Sequence, residues 1–108
     1  MYEALVNALK ATGIPFAEYQ WSTRPAGDFG VVQLERSVAT VEGDGEIQER
    51  AYEGSVDLYM QGRDNSKIAL VKQVLTAQCG GAFVLSSIQF EEETGLFHYE
   101  WVFQLEGE

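Results

Sequence analysis

The chain has 108 residues, 45% hydrophobic and 12% aromatic, which fits a single globular domain spanning 1–108, read as α+β from the pattern of elements below, and is too apolar for a disordered segment. Seven Lys and Arg against seventeen Asp and Glu give a net charge of −10, which argues against nucleic acid or an anionic membrane as a ligand. A lone cysteine, Cys79, excludes an intrachain disulfide and a multi-cysteine metal site, and a single histidine excludes paired-histidine metal chemistry.

In chain order, Tyr2, Leu5, Val6 and Leu9 recur at helical spacing, with Glu3, Asn7 and Lys10 opposite. The same three polar residues interrupt what would be the apolar core of a signal peptide. No apolar run approaches membrane-spanning length, so synthesis in the cytoplasm is expected. Gly13 and Pro15 stop the helix, placing it at about Tyr2–Thr12. Phe16–Trp21 reads as a short strand or extended lead-in, and Pro25 and Gly27 as a turn.

Phe29–Val41 reads as one long strand. The segment Glu42-Gly-Asp-Gly-Glu46 has two glycines, three acids and no apolar anchor, which predicts the tip of a projecting β-hairpin. The return strand runs from near Gln48 to Met60, with Val56, Leu58 and Met60 facing one way and Ser55, Asp57 and Tyr59 the other. Asp64, Asn65 and Ser66 offer N-caps for a second helix with an apolar stripe of Ile68, Val71, Val74 and Leu75, ended by Gly80-Gly81. Phe83–Phe90 is a strand and Glu91–Gly95 a solvated turn. The last strand alternates most clearly, with Phe97, Tyr99, Trp101, Phe103 and Leu105 on one side.

The predicted order is therefore α-β-β-β-α-β-β. Four or five strands form an antiparallel or mixed sheet, and both helices cover one face to bury their stripes together with the aromatic side of the last strand.

Residues that could carry chemistry are few. Cys79 and His98 are nominally a nucleophile and a base, but Cys79 reads as a small buried thiol and His98 as a residue on the solvated side of a strand. Glu42, Asp44 and Glu46 alternate as calcium ligands do, yet the loop lacks the glycine and the closing glutamate of an EF-hand. Gly43-Asp44-Gly45 has neither the third glycine nor the lysine of a phosphate loop. No catalytic, cofactor or metal site is expected. Two features stand out instead. The strand pair around residues 31–59 is longer than a domain of this size covers, which suggests an oligomer contact, the alternative being a bent hairpin that folds back on its own sheet. Acidic residues are also segregated: seven lie between Glu35 and Asp57 against Arg36 and Arg50, and no Lys or Arg follows Lys72.

Several phrases carry a resemblance over nearly the whole chain. They are a first helix ending in Thr12-Gly-Ile-Pro15, an aromatic stretch with Tyr19 and Trp21, and Pro25-Ala-Gly-Asp-Phe-Gly-Val-Val32. An acidic glycine-containing loop then precedes Tyr52-Glu-Gly-Ser-Val-Asp-Leu-Tyr59, Asp64 leads into the second helix, and an aromatic hairpin closes the chain. In these the chain resembles the tail terminator, or tail-completion, proteins of long-tailed bacteriophages and prophages. It departs from them at Gly43-Asp44-Gly45, where an Asp-Asn-like pair is expected.

The resemblance implies a non-enzymatic hexameric ring that caps the tail tube and forms the joint to the head connector. Its partners would be copies of itself, the tail tube protein and the head–tail connector protein, with DNA passing through without specific binding and no membrane involved. Assembly would take place in the host cytoplasm and end in the virion tail. On this reading Arg36, Val41, Ile47 and Arg50 are candidate subunit-interface residues, and Glu42, Asp44, Glu46 and Glu49 a candidate acidic lumen face. A head–tail connector (stopper) protein and an acidic DNA-mimicking inhibitor are the alternatives.

Overall fold

A computed structural model describes the backbone of residues 2–42 and 46–106, and the side chains of residues 2–37 and 51–106. The elements are α1 (Tyr2–Lys10), β1 (Phe16–Glu18), β2 (Phe29–Glu42), β3 (Glu46–Met60), α2 (Asn65–Cys79), β4 (Phe83–Glu91) and β5 (Leu96–Glu106). They follow the expected α-β-β-β-α-β-β order. The five strands form one sheet in the order β1-β2-β3-β5-β4. It is mixed, because β1 runs parallel to β2 while every other neighbouring pair is antiparallel.

Both helices pack on one face of the sheet. Leu5, Val6 and Leu9 of α1 and Val71 and Leu75 of α2 join Val32, Val56, Leu58, Met60, Tyr99, Trp101, Phe103 and Leu105 in one buried cluster. The period-2 pattern of β3 and β5 thus places Val56 against Trp101 and Leu58 against Tyr99 on the core side. Burying large aromatic and aliphatic side chains gains about 25 cal/mol per Å² of apolar surface, so this layer is the main source of stability.

Local signals set the ends of the helices. In α1, the Thr12 hydroxyl donates to the Leu9 carbonyl at 2.6 Å, and Gly13 takes φ +89°. The Asp64 carboxylate caps α2 by accepting from the Ser66 and Lys67 amides at 3.0 and 3.4 Å, and Gly80 closes it at φ +61°. β1 is shorter than the expected Phe16–Trp21. Tyr19 adopts φ +67°, a left-handed conformation that ends a strand, and the chain turns there. Trp21 then folds back and donates its indole N–H to the Gly30 carbonyl at 3.1 Å.

Two strand glycines are fixed by contact. A Cβ on Gly30 would lie 2.2 Å from the Phe16 ring, and one on Gly54 would lie 2.2 Å from the Gln33 carbonyl oxygen and 2.7 Å from the Phe103 ring. Gly54 sits opposite a β-bulge, where β2 carries an extra residue between Leu34 and Arg36.

Candidate assembly surfaces

The long hairpin is the first surface. β2 and β3 pair without interruption from Phe29↔Tyr59 to Glu42↔Glu46, bulging twice. Their neighbours stop short: β1 meets only Gly30–Val32, and β5 reaches no further along β3 than Ala51. The far part of the ladder is therefore two-stranded among the described residues, and the molecule measures 52 × 26 × 25 Å. The expected projecting hairpin is present as backbone. Of the candidate interface and lumen residues, Val41, Glu42, Ile47, Glu46, Glu49 and Arg50 have a described backbone only, in the pairs Val41↔Ile47, Thr40↔Glu49, Ala39↔Arg50 and Glu42↔Glu46. Their side chains, and the whole of Asp44, lie outside the described residues.

Arg36 is described in full. It forks onto Glu53 of the adjacent strand, with Nε–Oε2 at 3.2 Å and Nη2–Oε1 at 3.3 Å, and Gln104 donates to the same carboxylate. Its side chain remains 69% exposed, so this pair adds little to stability and leaves the guanidinium available to a second acceptor.

The face of the sheet away from the helices forms a second surface. Trp21, Phe29, Tyr59 and His98 lie side by side across it: Phe29 and Tyr59 stack at 4.9 Å, Tyr59 and His98 at 4.2 Å, and Arg24 sits 5.3 Å above the Phe29 ring. The expectation that His98 is solvated is corrected here. Its side chain is only 16% exposed, because Tyr59 covers one ring face and two carboxylates flank the edge. Nε2 lies 2.6 Å from Asp57 Oδ1, and Nδ1 lies 3.4 Å from Glu91 Oε2. The hydrogen bond to Asp57 raises the His98 pKa above its ordinary value, with Glu91 and Glu100 adding to the effect and burial opposing it. Asp57 is itself buried and also accepts from the Ser55 hydroxyl at 3.4 Å. The imidazole sits between two carboxylates, and these contacts tie β3, β5 and the end of β4 together.

Cys79 is half-buried beside the core, and burial pushes its thiol up to about 11, which leaves it protonated at neutral pH. Among the described residues, no three His, Cys, Asp or Glu side chains are grouped to hold a metal ion, and no helix is long and apolar enough to cross a membrane.

The third surface had no sequence expectation attached. β4 is an edge strand, and Val84, Leu85, Ile88 and Phe90 on it are 61%, 42%, 50% and 54% exposed. Pairing with Trp101, Tyr99 and Phe97 puts Leu85, Ile88 and Phe90 on the helix side of the sheet, beyond the reach of the helices.

No protein-family model and no curated protein matches the sequence. Solved structures match it in shape. One chain from the "Virion of native gene transfer agent (GTA) particle" superposes with a TM-score of 0.64 at 14% identity, over 99% of this chain and 95% of that one. The chain shares its fold with that virion component. At that coverage the likeness spans the whole domain and not merely a common hairpin.

Proposed function

We infer that this chain is a structural subunit of a phage-type virion, and that it acts at tail completion. In this reading it caps the tail tube as a homo-oligomeric ring, a hexamer, and provides the joint to the head connector. The observation that carries the reading is the fold, shared end to end with a virion component. It is joined by a two-stranded hairpin whose backbone edge has no partner within the described chain. Unpaired strand edges are costly to leave open in a soluble monomer and are ordinarily matched by a neighbour. A head-to-tail ring supplies such a neighbour at every position.

Charge supports the same role. A net charge of −10, with acids concentrated in the hairpin, gives a surface that repels DNA and lets it slide through a ring without sticking. Glu42, Asp44, Glu46 and Glu49 are proposed for the lumen side, and Arg36, Val41, Ile47 and Arg50 for the contact between subunits. Tail tube protein and head–tail connector protein are the proposed heterologous partners, assembly takes place in the host cytoplasm, and the role requires no catalysis, cofactor or membrane.

Binding to purified tail tubes, followed by negative-stain imaging of their ends, tests this assignment. Caps on tube ends support tail completion. Binding to the portal or adaptor without tube binding assigns the chain to the other side of the joint, as a connector.

A further inference from the structure

The geometry points to β4 as a docking edge for a second copy of this chain, which lays the open edge of its β2, beyond Val32, antiparallel against it. The inference rests on the ring reading above and specifies which surfaces meet in the ring.

Four observations carry it. First, β4 is an edge strand of nine residues, Phe83–Glu91, with an apolar side exposed: Leu85, Ile88 and Phe90 are each between 42% and 54% exposed on the helix side. Edge strands of monomers are normally blunted by charge or proline. From Phe83 to Phe90 this one has neither.

Second, charge selects the occupant. The stretch from Gln73 to Phe90 contains no charged residue, in a chain whose net charge is −10. Two such chains repel one another over most of their surface, so the uncharged strip is where a copy can approach at least electrostatic cost. A basic partner would gain nothing at this strip and would be drawn to the acidic hairpin instead.

Third, the topology fits head-to-tail repetition. β2 is antiparallel to β3, β3 to β5 and β5 to β4, so β4 runs antiparallel to β2 within one copy. Repeating the sheet with the same face covered by helices, shifted along the strands so that β4 clears β1, therefore sets β4 of one copy against β2 of the next in an antiparallel ladder, the more stable pairing.

Fourth, the two edges match in length. β1 occupies only Gly30–Val32 of β2's outer edge, so the stretch 33–42 is open among the described residues, and β4 spans 83–91. The contact is heterologous, joining two different surfaces, as a ring requires.

The test compares the wild-type chain with Ile88→Lys combined with Phe90→Lys. Light scattering is run across a concentration series, and amide hydrogen exchange is followed on the wild type in its dilute and assembled states. Both positions are half exposed, so the fold is expected to tolerate lysine there. The proposal expects wild-type mass to rise with concentration and the variant to remain at 12.0 kDa with an unchanged circular dichroism spectrum. It also expects exchange to slow at least tenfold in both 83–91 and 33–42 on assembly.

A variant that assembles like the wild type overturns the β4 contact and leaves the ring standing. A closed dimer with protection at β4 alone overturns the head-to-tail pairing. A wild-type chain that stays monomeric at every concentration overturns self-docking, and the tail-tube binding assay then decides the functional reading separately. If the double variant fails to fold, the wild-type exchange pattern decides alone.

Discussion

Replacing Gly54 by alanine probes whether the sheet is packed as described. An added methyl carbon would lie 2.2 Å from the Gln33 carbonyl oxygen and 2.7 Å from Cζ of Phe103, which is 1% exposed. The first obstacle is backbone on the neighbouring strand and the second a buried ring, so neither can swing aside as an exposed side chain would. Overpacking of this kind costs about 1–3 kcal/mol. A backbone clash belongs at the upper end, and the smaller unfolded-state entropy of alanine returns only about 0.4–1 kcal/mol. A net loss of about 2 kcal/mol lowers the melting temperature of a domain this size by roughly 8–16 °C. Thermal melts followed by circular dichroism measure it, with Gly62→Ala, where an added Cβ meets nothing within 4 Å, as the matched control. A Gly54→Ala melting temperature within about 2 °C of Gly62→Ala would refute the described β2–β3–β5 packing, given that scale.

Other expectations concern the core, the histidine, the thiol and the hairpin. Trp101→Ala removes a side chain 1% exposed at the centre of the core and should cost about 3–5 kcal/mol in a urea titration. His98 has a raised pKa, so its protonated form stabilises the fold; that contribution is fully present below its ordinary value of about 6.5 and is lost as pH rises through the higher folded value. The stability gap between wild type and His98→Gln should thus shrink from pH 6 toward alkaline pH, and a gap independent of pH would contradict the Asp57–His98–Glu91 arrangement. With its thiol at about 11, Cys79 should alkylate at pH 8 about a hundredfold more slowly than an unperturbed cysteine, as stopped-time mass spectrometry would show. Reversing Glu42, Asp44 and Glu46 to lysine should leave the melting temperature nearly unchanged and alter ring formation or DNA affinity; an effect on neither would remove the hairpin tip from the account.

Much of the fold was legible because the core is written in strict alternation. Val56, Leu58 and Met60, and Tyr99, Trp101, Phe103 and Leu105, read as inward-facing from spacing alone and are buried. The caps Asp64 and Gly80 were equally visible, since each depends on a local residue type. What the sequence concealed is non-local. Nothing near Phe16 says that β1 joins the sheet in parallel to β2, or that Tyr19 turns left-handed after three residues of strand. His98 looked solvated because its cover, Tyr59 and Asp57, comes from another strand. Phe83–Phe90 and the last segment both read simply as strands, and only the order β3-β5-β4 decides that β5 is central and β4 is left with its apolar side open. Gly54 gave no sign of its role for the same reason: the atoms that crowd it belong to Gln33 and Phe103.

The most direct test of the central claim is absolute mass by light scattering across concentration, with and without purified tail tubes, and negative-stain images of any large species. The account predicts sixfold assemblies with a central hole, free or seated on tube ends. A strict monomer at all concentrations that also ignores tail tubes would contradict it.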